Sequence, residues 1–209
     1  MLRRTFDLLA STAGLLLALL LILAGILLIV GHNFVGNQVS QQLSEQKITF
    51  PATGSAALTS LPAADRAAMT QYAGQMMTTG GQAKTYADHF IAVHLREIGG
   101  GKTYSQLSAE SMTMPNNAAL KQTVQTVFQG TTLRGLLLNA YAFGTIGNLL
   151  LIPGIISLII GPILLALSIL GFLHSRRVHP EEMLQREPQR GYSAGAETGR
   201  QSPAGPGPS

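Results

Sequence analysis

Residues 8–30 are 23 consecutive uncharged, almost wholly apolar residues, and residues 135–173 form a second uncharged run of 39. A helix needs about 20 apolar residues to cross a hydrocarbon layer roughly 30 Å thick. Inside that layer the backbone has no water to bond, so an isolated apolar segment crosses as a helix. The two runs predict an all-α membrane protein. Two transmembrane helices flank a small helical extracytoplasmic domain, and a disordered C-terminal tail follows.

Composition agrees with this class. Charged residues make up 11% of the chain and apolar residues 46%, against about 25% charged in average soluble proteins. The net charge of +4 is small and dispersed, which gives no electrostatic footprint for nucleic acid. Cysteine is absent, so the sequence holds no disulfide, thiolate metal ligand or thiol nucleophile.

The first run is too long for the apolar core of a signal peptide, which spans about 7–15 residues. No small-x-small cleavage site follows it; the chain continues Gly31-His32-Asn33-Phe34. It reads as an uncleaved anchor. Orientation follows from basic residues in short flanks. Arg3 and Arg4 precede the first run, and Arg176 and Arg177 follow the second. Both ends are expected in the cytoplasm of a plasma-membrane protein. The middle segment holds seven Lys and Arg, but long loops translocate largely regardless of charge.

Thirty-nine residues would reach about 58 Å as one helix, so the second span is placed at residues 146–173. The expected divisions are a cytoplasmic N-terminus 1–7, a first span 8–30, an outer domain with stalk 31–145, a second span 146–173 and a cytoplasmic tail 174–209. The alternative is a pair of short spans broken at Pro153-Gly154.

Within the outer segment, Val35, Val39 and Leu43 recur every four residues, which extends the first span outward as a stalk helix to about Gln46. Lys47 to Pro51 reads as extended chain, since residues before proline avoid the helical region. Pro62 suits the first turn of a helix, expected to run to about Met77, with Gly80-Gly81 ending that stretch. The clearest helix covers 82–98 and stops at Gly99-Gly100-Gly101. Thr103 can cap a short helix over 104–111. Pro115-Asn116-Asn117 breaks and re-caps the chain before a helix over 118–129, and Gly130-Thr131-Thr132 permits a further bend. With no tryptophan and few large apolar residues, such a domain has a thin core that leans on the stalk and the membrane surface. Residues beyond Val178 carry five of the ten prolines, a composition that does not order itself.

Candidate chemistry is sparse. Gly100-Gly101-Lys102-Thr103 ends like a phosphate loop, but Arg96 stands where the motif needs its first glycine and a helix precedes it. It reads as a turn, with no nucleotide partner. On the helix over 82–98, the 100° periodicity puts Ala83, Tyr86, Ala87, Phe90, His94, Glu97 and Ile98 on one face, with His94 and Glu97 near enough to touch. They are the weak metal candidates; the competing reading is a structural pair. His89 points about 140° away from His94. No nucleophile elbow appears, and no catalytic residue or cofactor is assigned. Neither span carries an ionisable residue, unlike most transporters. Ala10, Gly14 and Ala18, then Ser157 and Gly161, repeat small side chains at a spacing that lets helices approach. They are the helix-packing candidates.

The segments Leu43-Ser44-Glu45-Gln46-Lys47-Ile48-Thr49, Gln82 through His89, Gly99 through Leu107, and Thr132-Leu133-Arg134-Gly135 leading to Ala142-Phe143-Gly144 resemble a group of two-span membrane proteins of actinobacteria. The resemblance implies an envelope location. Some of those proteins are labelled aromatic ring-opening dioxygenase, whose iron chemistry uses two histidines and a carboxylate; here only His94 and Glu97 have pairing spacing. The expected function is that of a non-enzymatic envelope interaction or scaffolding protein. Its partners would be the lipid bilayer and other membrane or envelope proteins, or another copy. The alternatives are a metal-dependent enzyme using His94 and Glu97, and a channel or transporter subunit.

Overall fold

A computed structural model describes residues 2–177; the tail expected to be disordered lies almost wholly outside the described residues. Eight helical segments make up the fold. They are α1 (Leu2–Glu45), α2 (Ala56–Thr59), α3 (Ala63–Thr70), α4 (Gly80–Tyr86), a π-helical turn (Ala87–Ile91), α5 (Ala92–Ile98), α6 (Tyr104–Thr113) and α7 (Ala118–Arg177).

Two rods dominate. Helix α1 has 44 residues and α7 has 60, or about 66 Å and 90 Å at 1.5 Å per residue. Both are long and apolar enough to cross a membrane. They run antiparallel in contact: Ser11 meets Gly171, Gly14 meets Ser168, Gly25 meets Gly154 and Val35 meets Gly147. The segment expected to be a stalk is the C-terminal part of α1, which ends one residue short of the expected Gln46.

Helix α7 bears on two of the readings above. It has no bend at Gly130-Thr131-Thr132. The break at Pro153-Gly154 that the alternative of two short spans required is absent, and the helix runs on through Pro153 and Pro162. Both prolines lie on the exposed side, where the ring meets no neighbouring helix; Gly154 and Gly161 beside them face α1. Gly130 serves packing instead of bending: the Leu95 side chain rests in the space that a Cβ there would fill.

The connecting segment folds against the C-terminal half of α1 and the N-terminal half of α7. Lys47 turns the chain out of α1 with a φ of +52°, and the extended stretch expected from Lys47 begins one residue later, at Ile48; it pairs with the chain around Met76: Phe50 N donates to Gln75 O at 2.9 Å and Met77 N to Ile48 O at 2.8 Å. That pairing explains why α3 stops at Thr70 and does not run to Met77. The chain turns at Gly74, whose φ is +72°, to form the short antiparallel bridge. Gly80-Gly81 opens α4 where a stop was expected, because Thr79 and Gln82 form a reciprocal cap: Gln82 N donates to Thr79 Oγ1 and Thr79 N to Gln82 Oε1. Thr103 and Gln106 repeat the device at α6, and Asn117 Oδ1 accepts from Leu120 N at 3.0 Å to start α7.

The core is small. Phe50, Leu58, Met69 and Met77 are its largest fully buried side chains. Val39 and Leu43 from α1 and Leu137 from α7 complete it, so the domain's core does lean on the stalk. Phe50 stacks on Tyr72 and Tyr86, each at 5.3 Å, and the ladder continues through Phe90 to His94.

Candidate functional site

The π-helical turn is the irregular point of the domain. One extra residue in a helical turn shifts everything after it around the axis, and such turns are frequent at functional sites. Here the face expected from 100° periodicity holds as far as the turn, with Ala83 and Ala87 buried and Tyr86 and Phe90 half-buried against the core, and is lost at Glu97 and Ile98 beyond it. Ala83, Ala87 and Ile91 are buried at successive intervals of four, Val93 follows, and Ile98 is 47% exposed.

His94 and Glu97 both follow the turn, on α5, but do not pair. His94 Nδ1 donates to its own helix, to Phe90 O at 2.8 Å, and its ring stacks on Phe90 at 4.4 Å. Glu97 is exposed. Among the described residues no hydrogen bond or ion pair joins the two, and no three His, Asp or Glu side chains converge as metal ligands would.

The turn carries two ionic contacts instead. Asp88 accepts from Arg134 Nη2 on α7 at 2.8 Å and from Lys84 one turn earlier. Arg134 Nε also donates to Ala87 O at 3.2 Å. Burial alone would raise the Asp88 pKa, but the hydrogen bonds and charges of Lys84 and Arg134 outweigh it and hold the carboxyl below its ordinary value. Lys84 is raised by its hydrogen bond and charge interaction with Asp88 and lies 5.5 Å from the Tyr141 ring. Burial raises Tyr86. On the other side, His89 Nδ1 donates to Asp65 Oδ1 on α3 at 2.8 Å. The turn is thus clamped to α7 and to α3. These pairings span 46 and 24 residues, and no local spacing in the sequence indicates them.

No family model, curated protein or solved structure matches the chain.

The helix-packing candidates divide. Gly14, Ala18 and Gly161 lie where α1 and α7 meet: a Cβ on Gly161 would stand 2.7 Å from Ile22 Cγ1 and 3.3 Å from Ala18 O. Ser157 is half-buried and Ala10 is exposed. The contact has a longer repeat than the four-residue spacing suggests. Gly147, Gly154, Gly161, Ser168 and Ser175 of α7 are all buried, seven residues apart. On α1 the corresponding positions are Ser11, Ala18, Gly25, His32 and Val39, of which all but the half-buried His32 are buried. A strict seven-residue period keeps one seam facing the partner helix. Small side chains let the backbones close together, the contact that holds helices where water cannot drive association. At the seam's outer part His32 Nδ1 donates to Gly147 O at 2.9 Å. That period was legible in α7 from residue spacing alone.

Proposed function

We propose that the protein is a two-pass plasma-membrane protein, with both termini in the cytoplasm and the domain outside. It acts as a non-enzymatic interaction or scaffolding protein of the cell envelope. One observation carries the reading. In the most apolar stretch of α1 and of α7 only 11% of residues are buried, so these helices are not the core of a water-soluble fold. Leucines and isoleucines such as Leu20 (63% exposed) and Ile152 (65%) point outward, and a surface of that extent needs a cover other than water.

The antiparallel pairing brings the start of α1 and the end of α7 to one end of the hairpin, consistent with the basic flanks marking a single side. A structural role is favoured because the ionisable groups near the π-turn hold elements together: Asp88 with Arg134 and Lys84, Asp65 with His89. Lys102 and Glu110 likewise tie the start of α6 to its own helix at 2.5 Å.

Topology has a clean test, since the chain holds no cysteine. A membrane-impermeant maleimide should label Ser111→Cys in intact cells, and Ser202→Cys only after permeabilisation; the reverse pattern overturns the orientation. Crosslinking in native membranes should then capture envelope or membrane proteins on the outer domain. Capture of lipid alone removes the scaffolding reading.

A further inference from the structure

A groove of about 500 Å³ runs between α1 and α7 where the hairpin leaves its apolar spans. Its floor and walls include Phe34, Val39, Leu133, Leu136 and Phe143, and the amides of Gln38, Gln42, Gln46 and Asn139 line it too. We propose that this groove takes up one hydrocarbon chain of a lipid from the leaflet beneath the domain. The inference rests on the membrane reading above.

Position is the first argument. Phe34 and Phe143 stand just past residues 8–30 and before residues 146–173. The outward apolar surface passes from Val30 (58% exposed) and Ile146 (52%) to Phe34 (66%), Phe143 (59%) and Leu136 (61%), so a chain lying against the spans meets no charged side chain on entering. Length is the second. From Phe34 to Gln46 the groove follows twelve residues of helix, about 18 Å at 1.5 Å per residue. Half of a hydrocarbon core is about 15 Å, so the groove matches the tail of a single leaflet. Volume is the third, since about 300–1,000 Å³ is the usual range of small-molecule sites. Polarity is the fourth. No ionisable side chain lines the groove, and its four amides can bond an ester or hydroxyl but bring no counter-charge to a charged headgroup. The chemistry selects the tail and the neutral linkage of a lipid, leaving its headgroup in the interfacial layer.

The test uses the full-length chain in vesicles of phosphatidylcholine and phosphatidylglycerol doped with phosphatidylcholine carrying a diazirine near the end of one acyl chain. After illumination, adducts are mapped by peptide mass spectrometry. Adducts are expected on the groove residues Leu133 and Leu136, about 15–20 Å beyond the expected start of the span at residue 146, as well as on the lipid-facing residues Leu149 and Ile152. Leu136→Asp puts an unpaired carboxylate on the wall, and Gln42→Trp fills the space. Both sites are exposed, so the core is untouched; unchanged thermal melting checks this. Each should lower the groove adducts about tenfold or more while leaving those at Leu149 and Ile152 unchanged. Adducts at Leu149 and Ile152 without any in the groove overturn the proposal and spare the membrane reading. A protein–protein crosslink through Phe34 or Phe143 in place of lipid assigns the groove to a second copy and also overturns it. Absence of adducts everywhere, with the protein released by alkaline carbonate, overturns both readings.

Discussion

Gly80 has a role that its neighbour lacks. A Cβ on Gly80 would lie 2.9 Å from Ala140 O and 3.0 Å from Tyr141 Cα, backbone atoms of α7 that cannot swing aside, whereas a Cβ on Gly81 would meet nothing within 4 Å. Gly80→Ala is expected to push the start of α4 off α7 and to cost about 1–3 kcal/mol. Gly81→Ala should be neutral or raise stability by up to about 1 kcal/mol, because alanine suits a helix better than glycine. Thermal melting of the two variants in detergent checks the pair; equal shifts would refute the close approach. Asp88 is the other residue whose neighbours define it. Its pKa is lowered, so its folded-state ionic contacts add stability that is present above the ordinary carboxylate value near 4 and lost as pH falls through the lowered one. The melting temperature of the native chain should drop with acidification across that window. Asp88→Asn should be less stable at neutral pH and respond less to acid there; a variant as acid-sensitive as the parent would show that Asp88 is not responsible.

At the scale of elements, the ends of helices were the most legible. Thr103 and Asn117 cap where their side chains predict, and the stalk stops within one residue of the apolar period's end. Those features are local: one side chain, one turn, one hydrogen bond. The same logic failed at Gly80-Gly81, where glycine suggested a stop but the reciprocal cap of Thr79 and Gln82 supplied a start. It failed at Gly130 as well, because a glycine inside a long helix can be a landing place for Leu95 as readily as a hinge. The π-turn has no sequence signature, and beyond it Glu97 and Ile98 are exposed where the helical period put them on the inner face. The clamp that does exist, Asp88 to Arg134, joins residues that only the tertiary fold brings together. Its worth is testable: Arg134→Met keeps the aliphatic length and removes the charge. It should raise hydrogen exchange across residues 80–98 while leaving exchange in the seam of α1 and α7 unchanged. Unchanged exchange at the π-turn would mean that apolar packing alone holds it.

At the scale of the whole molecule, the seven-residue seam decides the shape. Gly161→Leu places a branched side chain against Ile22 and the Ala18 carbonyl, and is expected to cost about 1–3 kcal/mol as a lowered melting temperature in detergent. Gly36→Leu, at an exposed glycine whose Cβ would meet nothing within 4 Å, serves as its control. Comparable losses in both would mean that glycine content, not close approach, sets the stability of the hairpin. The seam also governs the order in which the protein can be made. Val39 and Leu43 leave the ribosome early, but the core they enter closes with Leu137, nearly a hundred residues later. Until α7 emerges, Phe50, Leu58, Met69 and Met77 have an unfinished core. Synthesis therefore delivers the domain between the two long helices as an unclosed chain, and the arrival of the second of them is the step that completes it.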